Sequence, residues 1–284
     1  MEKIYYFMEN IIEDLRKLNI EFVGVSETES IKIYVENEEQ ANKIIENIEA
    51  GLLPLKKEEV KIVIVGKLEP LQIYHTFELS GISSTKVLNP LYVSKEISGG
   101  KSVGSYDYKI TGTAGIINNE YKLISCYHVL LDSKNVISPG PLDGGDINDK
   151  VGYVEEFYNP KDGYDISIAD ISESKNKYQI RLMETWKKIK GYGEAEINER
   201  ISKYGRSSGL TFSKVIDKNV YVKMTYPNIG DVILKNCYVC ESFAIAGDSG
   251  SIAINENDES IGLITAGNSL ITILSSSEIL KKYL

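Results

Sequence analysis

The sequence predicts a mainly β protein, a sandwich or a pair of antiparallel barrels, preceded by a small α/β module. Three observations lead there. From Lys109 to the C-terminus, short apolar or alternating runs follow one another at close spacing, broken by glycine and asparagine turns, which is how strands of a sandwich or barrel read. Before that, apolar residues at helical spacing alternate with short strand-like runs in the first 66 residues. Nineteen tyrosines and 23 glycines in 284 residues lean the composition toward β structure.

The elements follow in order. Ile4, Met8, Ile11, Ile12, Leu15 and Leu18 recur at helical spacing and predict a helix over 2–18. "IEFVGV" (20–25) and "SIKIYVE" (30–36) read as strands, the second alternating with period two. In "NEEQANKIIENIEAG", Asn37 can cap a helix, Gln40 completes a capping-box-like pattern and Gly51 stops it. "VKIVIVG" (60–66) is a third strand. Residues 1–70 are therefore expected as a small α/β domain. Residues 71–108, with Pro90, "SGISS" and "SGGKSVGS", read as a linker leading into the β-rich domain at 109–284. Within that domain helix is expected only in "QIRLMETWKKIK" and in the C-terminal "SSSEILKKYL".

Composition narrows the function. With 42% hydrophobic and 26% charged residues the chain is of ordinary globular type, and a net charge of −9 argues against non-specific nucleic-acid binding, which needs a basic face. No run approaches the roughly 18 uncharged apolar residues of a membrane span, and the N-terminal residues mix acids into their apolar positions, unlike a secretion signal. Neither a nucleic-acid nor a membrane partner is expected. Three cysteines, Cys126, Cys237 and Cys240, are too few for a disulfide framework. Reduced thiols and a cytoplasmic location fit this count. "CYVC" has C-x-x-C spacing but lies in a strand-like run, where residues three apart point to opposite faces, so neither metal nor cofactor is expected.

Chemistry is suggested by "AIAGDSGSIAI" (244–254), where Ser249 stands between an acid and a glycine. A serine near pH 7 needs a base before it can act as a nucleophile. Only two histidines exist. His75, in "LQIYHTF", has no recognisable context, whereas His128 ends a strand that begins near Tyr121. A base histidine in turn needs a carboxylate to orient it. Asp165 heads the alternating "DISIADI", with small Ser167 and Ala169 beside it, while the acids of "LDGGD" sit in a glycine-rich loop. Each motif alone has an ordinary reading: G-D-S-G as a turn, His128 as a strand-end histidine, Asp165 as a cap.

Together, "SCYHVL", "DISIA" and "GDSGS", in the order His, Asp, Ser, resemble the three triad motifs of the trypsin-like serine peptidases. "KITGTAGIINNEYKLISCYHVL", "SPGPLDGGDINDKVGYVEEF", "YDISIADI", "KYGRSSGLTFSKV" and "AGDSGSIAI…SIGLITAGN" are similar, in order and spacing, to microbial members of that group that carry an N-terminal α/β extension. The resemblance covers residues 95–284 well and 20–70 loosely. It implies a double antiparallel β-barrel of chymotrypsin type and a serine endopeptidase acting on peptides or unfolded protein. Ser249 would be the nucleophile, His128 the base and then acid, and Asp165 the orienting acid. The N–H groups of Gly247 and Ser249 would form the oxyanion hole, and Thr265, Ala266 and Gly267 the backbone partners of an extended substrate.

Three positions depart from the commoner pattern: Ser251 in place of a second glycine, Ala266 in place of a large aromatic, and Phe243 six residues before Ser249 in place of an acid that would select Lys or Arg. Asp248, whose counterparts in secreted relatives bind a newly cut N-terminus, is expected to find an internal donor, and the site to form without cleavage of a precursor, since no cleavage site is evident in the sequence. Two other readings use the same residues: a protease-fold peptide-binding module with weak turnover, and a serine esterase. The N-terminal domain could act as an internal inhibitor, a folding aid or a partner-binding element.

Overall fold

The computed structural model describes residues 2–28, 30–71, 73–74, 96–227, 229–276 and 278–284; His75 lies outside them. Two β-barrels face each other. In the first, eight antiparallel strands run in the order Ile73–Tyr74, Ile110–Thr113, Ser102–Ser105, Val136–Ile137, Lys150–Tyr158, Ile166–Asp170, Lys122–Ser125, Ile116–Ile117. They wrap around Val103, Ile116, Leu123, Ile124, Val136 and Ile168, all buried. The strand Ile166–Asp170 is buried on both faces because its residues divide the labour. Ile166 and Ile168 enter the core, while Ser167, small enough to let the chain pass, donates to the Leu131 carbonyl at 2.9 Å.

The second barrel closes on itself. Arg200–Gly205 pairs with both Gly209–Tyr226 and Ile252–Ile254, and Glu259–Gly267, Ile271–Ser276 and Gly230–Glu241 complete the ring. Closure leaves no open edge within the ring. Cys237 and Cys240 lie on Gly230–Glu241 and pack into different apolar clusters, as a period-two strand requires. No disulfide joins the three cysteines.

The N-terminal elements are a helix (Glu2–Lys17), two strands (Gly24–Glu27, Ile31–Val35), a helix (Glu38–Glu49) and a third strand (Val60–Ile64). Asn37 caps the second helix through its side-chain oxygen, which accepts from the Gln40 N–H at 3.0 Å, and Gln40 reaches back to the Glu36 N–H at 2.9 Å. Gly51 ends it at φ +68°. These strands extend the sheet of the second barrel: Gly24 pairs with Val222 and Val25 with Tyr221, antiparallel. At position 24 any Cβ would lie 2.8 Å from the Tyr221 carbonyl oxygen, so only glycine permits the pairing. Met8, Leu15, Ile33, Ile44 and Tyr221 share one core across the join.

Three expectations change. "QIRLMETWKKIK" is not helical: Gln179–Ile180 pairs in parallel with Glu96–Ile97, and the Met183 N–H donates to the Ile117 carbonyl at 2.7 Å. Its apolar spacing reflects a connection that clamps the outside of the first barrel, burying Met183 and Ile189. The stretch 71–108 is also more than connecting chain, since Ile73–Tyr74 and Ser102–Ser105 are strands of the first barrel, and just before it Glu69–Pro70 adds to Glu259–Gly267. The C-terminal helix is a 3₁₀ turn, Glu278–Lys282. Among the described residues no helix is long and apolar enough to cross a membrane.

Candidate functional site

His128 does not end the strand, as the sequence suggests; it lies in a single helical turn, Tyr127–Leu130, just after the strand Lys122–Ser125. The turn aims both its backbone and its ring at Asp165, which stands immediately before Ile166–Asp170. The His128 N–H meets Asp165 Oδ1 at 3.0 Å and the ring Nδ1 lies 2.5 Å from Oδ2. Both side chains are buried. A third group completes the carboxylate's shell: Tyr226 donates its hydroxyl to Oδ2 at 3.0 Å, and its ring lies 5.7 Å from that of His128. Burial pushes the Tyr226 phenol well above its ordinary value, with Asp165 adding to it, so the phenol keeps the proton it donates. With Nδ1–H committed to Asp165, Nε2 is left with a lone pair. It is buried and without a hydrogen-bond partner among the described residues, a costly state for a polar atom that nothing else needs.

Ser249 sits in a turn between Gly247 at φ +96° and Gly250 at φ +90°, backbone that side chains rarely tolerate. A Cβ on Gly250 would come within 2.4 Å of the Thr113 carbonyl oxygen. The turn is pressed against the first barrel by two bonds: Thr113 donates its N–H to the Ser249 carbonyl at 2.8 Å and its hydroxyl to that of Gly247 at 2.7 Å. The Ser249 hydroxyl donates to the Thr265 carbonyl at 3.0 Å, not to His128. The structure thus bonds His128 to Asp165 directly and leaves Ser249 on a neighbouring acceptor.

Asp248 has its internal donor. Lys203 lies 2.8 Å from Oδ2, both side chains fully buried. Burial draws the Lys203 ammonium below its ordinary range and Asp248 offsets part of this. The turn "GRSSG" wraps the same carboxylate, with the N–H groups of Ser207 and Ser208 on Oδ1 at 2.9 and 3.1 Å and the Ser208 hydroxyl on Oδ2 at 2.6 Å. The adjacent Arg206 crosses to Asp143 of the first barrel, Nε to Oδ2 at 2.5 Å. Asp143 is therefore an ion-pair partner tying the barrels together.

The residues expected as backbone partners of a substrate, Thr265, Ala266 and Gly267, are paired with a segment of this chain. Glu69–Pro70 runs antiparallel to Glu259–Gly267, Pro70 opposite Ala266 and Glu69 opposite Gly267. Leu71 donates its N–H to the Thr265 carbonyl at 3.2 Å. Its own carbonyl oxygen receives the N–H of Gly247 at 2.5 Å and that of Ser249 at 3.4 Å. Upstream, the Asn268 amide ties down the carbonyls of Val65 and Lys67 at 2.7 and 3.0 Å. A cleft of about 580 Å³ between the N-terminal elements and this segment borders Glu69 and Pro70.

Cys126, His128 and Asp165 place donor atoms within 4.8 Å of one another. The arrangement is one of hydrogen bonds and does not resemble a metal centre. Burial pushes the Cys126 thiol well up, keeping it protonated on the Ile264 carbonyl at 3.2 Å, while a metal needs thiolate. Lys203, Tyr226 and the two serines escaped the sequence reading. Only Lys203 left a trace, being in phase with Ile201 on the inner face of Arg200–Gly205.

No protein-family model matches the chain, and no curated protein does. Solved structures do. Thermobifida fusca Protease A superposes with a TM-score of 0.50 at 16% identity, covering 66% of this chain and 95% of that one. Cellulomonas bogoriensis chymotrypsin gives 0.49 at 16%, covering 66% and 96%, and Nocardiopsis protease 0.48 at 17%, covering 66% and 96%. The likeness to Protease A establishes the fold, the double β-barrel of bacterial chymotrypsin-like proteases.

Proposed function

We propose that the protein is a serine endopeptidase that hydrolyses peptide bonds through Ser249, His128 and Asp165. One observation carries the reading: a peptide carbonyl lies against the N–H groups of Gly247 and Ser249, and the same chain holds a histidine whose Nδ1 meets a buried carboxylate and whose Nε2 has no hydrogen-bond partner among the described residues. In the reaction the Ser249 hydroxyl turns about its Cα–Cβ bond from the Thr265 carbonyl to His128 Nε2. Catalytic hydrogen bonds often tighten only in the reacting complex. His128 takes the proton as Oγ attacks the carbonyl carbon, and Asp165 stabilises the imidazolium. Gly247 and Ser249 hold the oxyanion; losing one such donor typically costs about 10²–10³ in rate. His128 then protonates the leaving amine, and water resolves the acyl-enzyme.

Peptides or unfolded protein are the substrates of this reading, with no cofactor. A cytoplasmic location accompanies it, supported by three buried cysteines without a disulfide among them. Ser249→Ala should abolish labelling by an organophosphonate probe and lower kcat by about 10⁴–10⁶. Labelling that persists in the variant would remove Ser249 from the role. The bond from the Ser249 hydroxyl to the Thr265 carbonyl favours a second reading, a peptide-binding module that rarely turns over. Unfolded casein separates the two: steady hydrolysis supports the enzyme, saturable binding without cleavage the module.

A further inference from the structure

We infer that Thr113, on the first barrel, is a positioning residue for the oxyanion donors on the second. Its hydroxyl fixes the peptide plane between Gly247 and Asp248, and a bridge from Arg206 to Asp143 fixes the hydroxyl. This rests on the proteolytic reading and adds to it a residue that acts through the turn.

Two N–H groups converge on one oxygen only while the peptide planes that carry them are held at a fixed angle. Gly247 and Gly250 bracket this turn at φ +96° and +90°, and glycine visits positive and negative φ about equally readily. The turn does not hold its own planes; neighbours pin them one after another. The Gly247 carbonyl accepts from the Thr113 hydroxyl at 2.7 Å and the Asp248 carbonyl from the Ser251 hydroxyl at 2.7 Å. The Ser249 carbonyl accepts from the Thr113 N–H at 2.8 Å, and the Gly250 N–H donates to Ile264 at 2.8 Å. Thr113 thus grips the peptide groups on either side of Asp248 and Ser249, one with its side chain and one with its backbone.

The direction of the hydroxyl is set by its two partners. The Arg206 N–H, 3.1 Å away, can only donate to it, and the Gly247 carbonyl can only accept, so the one proton of Thr113 points at Gly247. Branching at Cβ restricts the threonine's χ1, and the residue is fully buried. Its carbonyl is committed as well, taking the Ser125 hydroxyl at 2.8 Å.

Behind the hydroxyl the bonds close into a ring. Arg206 holds Asp143 through Nε at 2.5 Å and through Nη2, a two-pronged contact that fixes orientation as well as distance. Asp143 also accepts from the Ser102 hydroxyl at 2.5 Å, and Ser102 is the partner of Thr113 in the ladder between Ser102–Ser105 and Ile110–Thr113. Thr113, Ser102, Asp143 and Arg206 therefore span both barrels and return to their start. Ser207 and Ser208, next in the chain, place their N–H groups on Asp248, the residue between the two oxyanion donors. A bridge that only joined the barrels could end at Arg206 and Asp143; this one continues through two further hydrogen bonds into the turn.

Thr113→Val in the full chain tests this, since it keeps the shape and removes the bond. Casein hydrolysis and organophosphonate labelling of Ser249 are followed against concentration, which separates the chemical step (kcat, limiting labelling rate) from binding (KM, half-saturating concentration). The variant should lose about 10- to 10²-fold in kcat and in the limiting labelling rate. KM and the half-saturating concentration should stay near their wild-type values, and so should the pH of half-maximal kcat, because His128 and Asp165 are untouched. Thr113→Ser restores the hydroxyl and should return most of the rate. Asp143→Asn, which loosens Arg206 from a distance, should lower the same two rates by a smaller factor. A Thr113→Val chain as fast as wild type, one that serine does not rescue, or one whose KM rises while kcat holds overturns the inference and leaves the endopeptidase standing. If Thr113→Val loses its near-ultraviolet circular dichroism, Asp143→Asn decides by the same separation: lowered rates support the inference and unchanged rates overturn it. A wild-type chain that neither takes the probe nor cleaves casein ends both readings.

Discussion

Tyr226 shows how much of the site rests on a residue with no motif of its own. Its hydroxyl donates to Asp165 beside His128, and hydrogen bonds to charged groups are worth about 1.5–3 kcal/mol. On the proteolytic reading the tyrosine would act through Asp165 on the base, so Tyr226→Phe should lower kcat about tenfold or more while leaving KM near its original value; an unchanged kcat would make it a packing residue. Lys203 is a sharper case. Lys203→Met keeps the volume but strands a buried carboxylate, and breaking such a pair typically costs about 3–5 kcal/mol, to be read as a lower urea midpoint. At this scale the sequence was legible where chemistry imposes a motif: His128 and Asp165 were singled out and the structure pairs them, Ser249 was singled out and its hydroxyl donates to the Thr265 carbonyl, and the need of Asp248 for an internal donor was foreseen. The donor itself was not. A lysine between Ser202 and Tyr204 looks like any strand residue until closure of the barrel shows which face points inward.

Among elements, the seam between the N-terminal strands and the second barrel turns on Asp217. It is fully buried and accepts from the Ser26 hydroxyl at 2.5 Å and the Tyr34 hydroxyl at 2.6 Å, with Lys32 at 3.1 Å. Asp217→Ala leaves both hydroxyls without their acceptor, about 1–3 kcal/mol for each left unsatisfied, so amide exchange in Gly24–Glu27 should accelerate while that in Ile166–Asp170 stays slow. The order helix, strand, strand, helix, strand could be read from period and caps because each element announces itself within a few residues. Pairing could not: that Gly24–Glu27 joins Gly209–Tyr226 depends on residues nearly 200 positions apart. "QIRLMETWKKIK" failed for a related reason. Its helical spacing is real, but the Arg181 and Met183 N–H groups are taken by the Ile97 and Ile117 carbonyls.

At the scale of the molecule, contacts distant in sequence hold the ends in place. Glu156 on Lys150–Tyr158 accepts from Tyr283, Tyr158 and Lys282. The Tyr283 hydroxyl foremost, helped by Tyr158 and Lys282, holds its carboxyl below the ordinary value despite partial burial. A folded value lower than the unfolded one gives stability that is complete above about pH 4.3 and is lost as pH falls through the folded value. Glu156→Gln should flatten that acid limb, seen as a smaller drop in Tm between pH 5 and pH 3. The join at Gly24 and Val25 has one more effect. Residues 1–71 supply strands to a sheet whose remaining members lie beyond them, so severing the backbone there would leave both pieces gripped by the same hydrogen-bond ladder. Such a break would be silent to gel filtration and light scattering, and a preparation judged whole by its hydrodynamic radius could consist entirely of two polypeptides.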